Sequence, residues 1–126
     1  GAPGKGNIDG VFNSGQRVAL IEGTSSTFRS ILAIVKRLKL QGLEVPVAYP
    51  IFAYYWGKEE ILTNEGCEVK PILTVREVFQ ILLDHGRIEQ DIFDYVTGYL
   101  KKAEKFFKGK FTRDRAISLG LLRPGY

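Results

Sequence analysis

Along this chain, runs of consecutive apolar residues alternate with stretches whose apolar residues recur every three or four positions. That alternation of strand and helix periods constrains the fold most strongly. Arg17-Val18-Ala19-Leu20-Ile21 reads as a short buried strand, followed by a polar turn, Thr24-Ser25-Ser26-Thr27. From Phe28 the period changes: Phe28, Ile31, Leu32, Val35 and Leu38 form one face, with Arg29, Lys36, Arg37 and Lys39 between them, and Gly42 as the stop. Val45 to Trp56 reads as a second strand, in which Pro46 and Pro50 predict bulges or an edge position. Lys58 to Asn64 is a short helix closed by Glu65-Gly66, and Cys67 to Leu73 a third strand with Pro71 near its end. Thr74-Val75-Arg76-Glu77 is a capping box opening a helix that ends at His85-Gly86. A longer helix runs from about Ile88 to Phe107, with Ile92, Tyr95, Val96, Tyr99 and Ala103 on one face, and Arg113 to Leu119 adds a last short turn. The expected class is α/β: a small three-stranded parallel sheet flanked by helices. Such a sheet must be covered on both faces, by these helices, by a further segment or by a partner chain.

With 126 residues the chain is one domain, and its 44% hydrophobic and 25% charged residues exclude intrinsic disorder. No apolar run approaches the roughly 20 residues of a membrane helix, so no membrane is expected. The single cysteine, Cys67, excludes an internal disulfide and fits a reducing compartment such as the cytoplasm. The single histidine, His85, excludes a three-histidine zinc site within the chain. At a helix C-terminus it reads as a capping partner. There is no methionine, and the chain opens Gly1-Ala2-Pro3-Gly4, so it reads as a segment of something longer or as a cut chain.

Charge is unevenly placed. The last 28 residues carry eight basic side chains against Glu104 and Asp114, a net +6, while the whole chain carries +4. The other 98 residues therefore carry −2. The basic tail suits the C-terminal end of a helix dipole, or an anionic partner such as nucleic acid through residues 101–126. Its lysines are interleaved with Phe106, Phe107 and Phe111, which suit either base stacking or docking to a protein.

Ligands of open parallel sheets bind where strands end and helices begin. Here that place holds Glu22, Gly23, Thr24, Ser25, Ser26, Thr27 and then Ser30. An acid, a hydroxyl-rich turn and a helix N-terminus favour a phosphate, though such hydroxyls also serve as plain N-caps. The Walker spacing of glycines and lysine is missing. Arg29 reads as a phosphate partner or as an exposed helical arginine. Tyr54, Tyr55 and Trp56 at a strand end read as a base-stacking cluster, as packing or as a dimer contact.

The stretch from Val18 to Ser30 resembles the phosphoribosyl-pyrophosphate motif of type I phosphoribosyltransferases, a strand with two acids leading into a hydroxyl- and glycine-bearing loop. The surroundings resemble orotate phosphoribosyltransferase. Gly4-Lys5-Gly6-Asn7-Ile8-Asp9-Gly10 is similar to the end of that family's mobile loop, and the order Ile51 to Tyr55, Glu65-Gly66, Leu73-Thr74, Gly86-Arg87-Ile88 follows its later elements. The resemblance covers residues 4 to 100, the family's C-terminal half. It implies a Rossmann-like phosphoribosyltransferase core at 1–100, with 101–126 as a basic helical C-terminal extension.

The sequence also departs from the motif. Only Glu22 of the acid pair remains, with Gly23 in place of the second acid. Phe28 stands where the loop has a glycine, and a phenylalanine takes a positive φ only at a cost. The resemblance thus implies a degenerate orotate phosphoribosyltransferase-like domain that keeps a weak phosphate site and serves as a binding or structural module, as a homodimer or in a larger assembly. The alternatives are an active orotate phosphoribosyltransferase whose N-terminal half lies outside this chain, and a nucleic-acid-associated protein. The candidate catalytic residue is Glu22. The candidate phosphate-binding residues are Thr24, Ser25, Ser26, Thr27, Arg29 and Ser30, with Lys5 from the loop. No cofactor is expected, and no metal, save magnesium if the enzyme reading holds. The ligand implied is a phosphate or phosphoribosyl group.

Overall fold

One central strand organises the molecule. The computed structural model describes residues 8–54, 57–110 and 112–125. In chain order the elements are β1 (Arg17–Ser25), α1 (Arg29–Leu40), β2 (Glu44–Ala53), α2 (Glu60–Thr63), β3 (Glu68–Val69), β4 (Leu73–Thr74), α3 (Val75–Asp84), α4 (Gln90–Phe107) and α5 (Arg113–Ser118). β1 pairs in parallel with one side of β2, and β3 and β4 pair in parallel with the other. The α/β class with a small parallel sheet and flanking helices is therefore as expected.

The two prolines of β2 explain how the sheet differs from the expectation. β2 is interior rather than an edge. Pro46 falls where the register moves from Arg17↔Glu44 to Ala19↔Val47, so it sits at an irregularity. Pro50 lies deeper in the strand. On the β3–β4 side, the Ala48 carbonyl accepts from the Lys70 N–H and the Pro50 carbonyl from the Ile72 N–H, both at 2.9 Å. Pro50 has no N–H to return to that side. The ladder breaks there, and the single third strand expected over Cys67 to Leu73 is split into β3 and β4.

β1 corrects the sequence reading twice. It runs on through Ser25, with Thr24 opposite Phe52 and Ser25 opposite Ala53, so half of the expected polar turn is strand. It is also not a buried strand: Ile21 is 69% exposed. Val18 and Leu20 pack on the core, while Ala19 and Ile21 are exposed, as strand alternation requires.

α1 covers the core face. Ile31 and Val35 are fully buried among Phe28, Val45, Ala48, Leu62, Cys67 and Val69. Burying each is worth about 1.5–3 kcal/mol. The helix stops at Gly42, whose φ of 82° is the left-handed conformation a Schellman cap needs. Gly42 N–H donates to the Lys39 carbonyl at 2.9 Å and Leu43 N–H to the Leu38 carbonyl at 3.1 Å. Lys36 and Lys39 reach Glu65 at 3.5 and 3.6 Å, tying α1 to the end of α2.

The capping box at α3 is present in both directions. Thr74 N–H donates to the Glu77 carboxylate at 2.7 Å, and Glu77 N–H donates to Thr74 Oγ1 at 3.3 Å. α4 differs in part from the face read in the sequence. Of that face Ala103 is buried and Val96 half-buried, whereas Ile92, Tyr95 and Tyr99 are 47%, 75% and 42% exposed, and Leu100, outside it, is buried. The helix continues unbroken past residue 100, and Arg115 of α5 donates to the Lys105 carbonyl near its C-terminal end. Among the described residues no helix is long and apolar enough to cross a membrane.

Candidate phosphate site at the start of α1

β1 ends at Ser25, Ser26 and Thr27 follow, and Phe28 is the residue from which α1 springs. Phe28 has φ 60° and ψ 9°, the left-handed conformation, and among the described residues it is the one non-glycine with positive φ. The sequence argued that a phenylalanine would resist the conformation a glycine supplies at this point, yet Phe28 adopts it. Left-handed backbone costs an ordinary residue roughly 1–2 kcal/mol. The ring repays it, because Phe28 is 1% exposed and belongs to the core cluster with Ile31 and Val35. Burial of a phenylalanine is worth about 1.5–3 kcal/mol. The turn thus keeps its shape, anchored by a buried ring.

The turn hydroxyls do not act as the helix cap. The N-cap is Phe28, which makes no side-chain cap hydrogen bond, and the first turn of α1 contains no acid. A helix start without a carboxylate keeps its dipole available to an external anion.

Beside this turn lies a cleft of about 280 Å³, lined by Thr27, Arg29, Lys58, Ile61 and Gly109. Thr27 and Arg29 flank Phe28. Lys58 comes from the loop after β2, Ile61 from α2 and Gly109 from the end of α4. The cleft therefore gathers two cations and a hydroxyl from two separate places in the chain. Lys58 was missed in the sequence. Its signal was its position just beyond the C-terminal end of a parallel strand, on the same edge of the sheet as the turn.

The end of α4 closes this side. A Cβ on Gly57 would lie 2.6 Å from Lys108 Cε, so the helix lies directly against the loop that carries Lys58. Lys108 Nζ donates to Glu104 Oε1 at 2.6 Å. That bond and the Glu104 charge, with Glu59 and Glu60 adding to them, push the Lys108 ammonium above its usual range.

The remaining candidates are spread around the turn. Glu22 is half-buried in β1 opposite Pro50, on the strand face of Val18 and Leu20. Thr24 is exposed in β1. Ser25 is 3% exposed, and its hydroxyl has no hydrogen-bond partner among the described residues. Ser26 and Ser30 are exposed. Of the sequence candidates, the cleft takes Thr27 and Arg29, and not Glu22, Thr24, Ser25, Ser26 or Ser30. Lys5 lies outside the described residues, as do Tyr55 and Trp56. Tyr54 is exposed and meets Phe52 edge-on at 4.9 Å.

The other singled-out groups have local roles. His85 Nδ1 lies 2.9 Å from the Ile81 carbonyl at the end of α3, a capping contact. Phe106 and Phe107, read in the sequence as suited to base stacking or to docking a protein, are half-buried and pack edge to face at 5.5 Å; Phe111 lies outside the described residues. Cys67 is buried, and desolvation pushes its thiol pKa up. Among the described residues no three metal-ligating side chains gather. Glu22, with Gly23 as its neighbour, is a donor set too small to hold magnesium by itself.

No protein-family model matches the chain. The chain is similar to the orotate phosphoribosyltransferase of Listeria monocytogenes, 30% identical over 107 residues, covering 83% of this chain and 51% of that protein. It is also similar to that of Pyrococcus furiosus, 32% identical over 73 residues, covering 58% and 40%. The chain thus spans about half the length of the curated relatives it matches. Among solved structures, a phosphoribosyltransferase from Corynebacterium diphtheriae superposes with a TM-score of 0.53 at 28% identity, over 61% of this chain and 48% of that one. The UMP synthase of Leishmania donovani superposes with a TM-score of 0.66 over 75% of this chain and 21% of that one; at 19% identity this speaks for the fold alone. Strand, turn and helix order, the sequence relatives and the solved structures agree: over the part of the chain they cover, this is a type I phosphoribosyltransferase-like protein, related at low identity to orotate phosphoribosyltransferases.

Proposed function

We propose that this chain is a phosphoribosyltransferase-like binding module that holds a phosphate, or the phosphate of a phosphoribosyl group, at the start of α1, without carrying out transfer itself. The observation that supports it is the left-handed turn at Phe28, which sets Thr27 and Arg29 beside Lys58 around one cleft. Two cations and a helix N-terminus attract a dianion. Two charge-assisted hydrogen bonds supply roughly 3–6 kcal/mol before the cost of immobilising the ligand. That corresponds to a site of about millimolar strength. Glu22, Thr24, Ser25, Ser26 and Ser30 remain candidates for the ribose and the outer phosphate oxygens.

The case against transfer rests on one residue. Phosphoribosyl transfer develops positive charge on the ribose and negative charge on the departing diphosphate. A second acid beside Glu22 and a bound magnesium would stabilise these, and Gly23 supplies no carboxylate. The second reading is a working orotate phosphoribosyltransferase completed by residues outside this sequence. The names of the relatives and the place of Glu22 in β1, three residues before the strand ends at Ser25, favour it. In either reading the open face of the sheet suits a second copy or a larger assembly, in a reducing compartment such as the cytoplasm.

Titration calorimetry with phosphoribosyl pyrophosphate, alongside a transfer assay with orotate and magnesium, separates the two readings. Binding without turnover supports the module. Turnover that is lost in Glu22→Ala establishes the enzyme.

A further inference from the structure

We infer that the outer face of α4 is a second binding site, for single-stranded nucleic acid, with Tyr95 and Tyr99 as the stacking platform and Lys102 as the phosphate contact. The site is independent of the cleft at α1. Tyr95, Tyr99 and Lys102 follow one another at four- and three-residue spacing, so they share one stripe of the helix. Tyr95 is 75% and Tyr99 42% exposed, the reverse of the buried face their periodicity suggested. Together with Asp94, Gly98 and Gly120 they line a cleft of about 250 Å³. Gly98 brings no side chain into this cleft, and a Cβ there would meet nothing within 4 Å.

Charge selects the occupant. Lys101, Lys102 and Lys105 are exposed and make no ion pair among the described residues, and they belong to the segment that carries net +6. A polyanion is complementary to this half of α4. Asp94, which accepts from Gln90 Nε2 at 2.9 Å, turns phosphates away from the other half. Aromatic rings beside point-charge lysines match a flexible strand whose bases are unstacked and free to lie on the rings. A duplex keeps its bases inside and would use the lysines alone.

The test uses the full chain and a fluorescein-labelled fifteen-residue oligothymidylate, read by anisotropy at several salt concentrations. Tyr95→Leu and Tyr99→Leu keep an apolar side chain at exposed positions and should each weaken binding about tenfold with an unchanged salt slope. Lys102→Gln should lower the slope of log affinity against log salt by roughly 0.7. Any of three results overturns the inference: no binding at low salt, full affinity in both tyrosine variants, or equal affinity for a duplex or an acidic polypeptide of the same charge.

Discussion

The Leu32 N–H donates to the Phe28 carbonyl at 2.9 Å, closing the first turn of α1 on a residue in the left-handed conformation. A glycine makes this turn by having no Cβ to clash. Here a buried ring makes it, and the two solutions respond differently to mutation. Phe28→Ala loses the ring and keeps the Cβ; Phe28→Gly loses both. Removing a buried phenylalanine ring costs about 3–5 kcal/mol. Phe28→Gly should be the more stable of the two by about 1 kcal/mol, because the left-handed penalty disappears. Urea unfolding decides it, and an alanine variant at least as stable as the glycine variant would contradict the backbone geometry.

Local rules were legible in the sequence, and relationships between distant residues were not. The apolar face of α1, the stop at Gly42 and the Thr74–Glu77 box each depend on residues within a turn or two of one another. The break between β3 and β4 depends on Pro50 facing them from another strand, which no reading of residues 67–73 contains. Tyr95 and Tyr99 share helical spacing with Ala103, but only Ala103 of the three packs inward, together with Leu100 from outside that face, a choice made by the helix's neighbours. Lys58 and Thr27 are 31 positions apart and share a cleft only after β2 has paired with β1.

The capping box gives a pH signature. Hydrogen bonds from the Thr74 backbone and side chain hold the Glu77 carboxyl below its ordinary value of 4.5. A depressed acid stabilises the fold above its unfolded pKa, and the contribution is lost as pH falls through the folded value. Glu77→Gln should therefore destabilise the protein at neutral pH, and the difference should shrink as pH falls below about 4.5. Thr74→Ala should cost about 1 kcal/mol at neutral pH. Thermal melts of wild type and both variants between pH 7 and pH 3 check the sign.

Gly23 is exposed in β1, its φ is not in the left-handed region, and a Cβ there would meet nothing within 4 Å. Gly23→Asp should fold normally, with a stability change within about 0.5 kcal/mol. It adds a second carboxylate one residue after Glu22, on the opposite face of the edge strand β1. With magnesium present, the variant should bind phosphoribosyl pyrophosphate more tightly than wild type, and without magnesium more weakly. Calorimetry with and without the metal reads both effects.

The sheet face away from α1 exposes Ile21, Ile51 and Ile72 at 69%, 47% and 60%. A parallel sheet is ordinarily covered on both faces. Sedimentation should find the chain self-associated at micromolar concentration, and Ile51→Lys should dissociate it while leaving the helical circular dichroism intact. A folded wild-type monomer at high micromolar concentration would refute this.

The central claim is the anion site at the start of α1, and amide chemical shifts during a titration with inorganic phosphate test it most directly. Saturable shifts at Thr27, Phe28, Arg29, Ser30 and Lys58, abolished in the Arg29→Gln, Lys58→Gln double variant, are the predicted result. A titration to tens of millimolar that leaves those amides unmoved, or moves them equally in the double variant, would contradict the account.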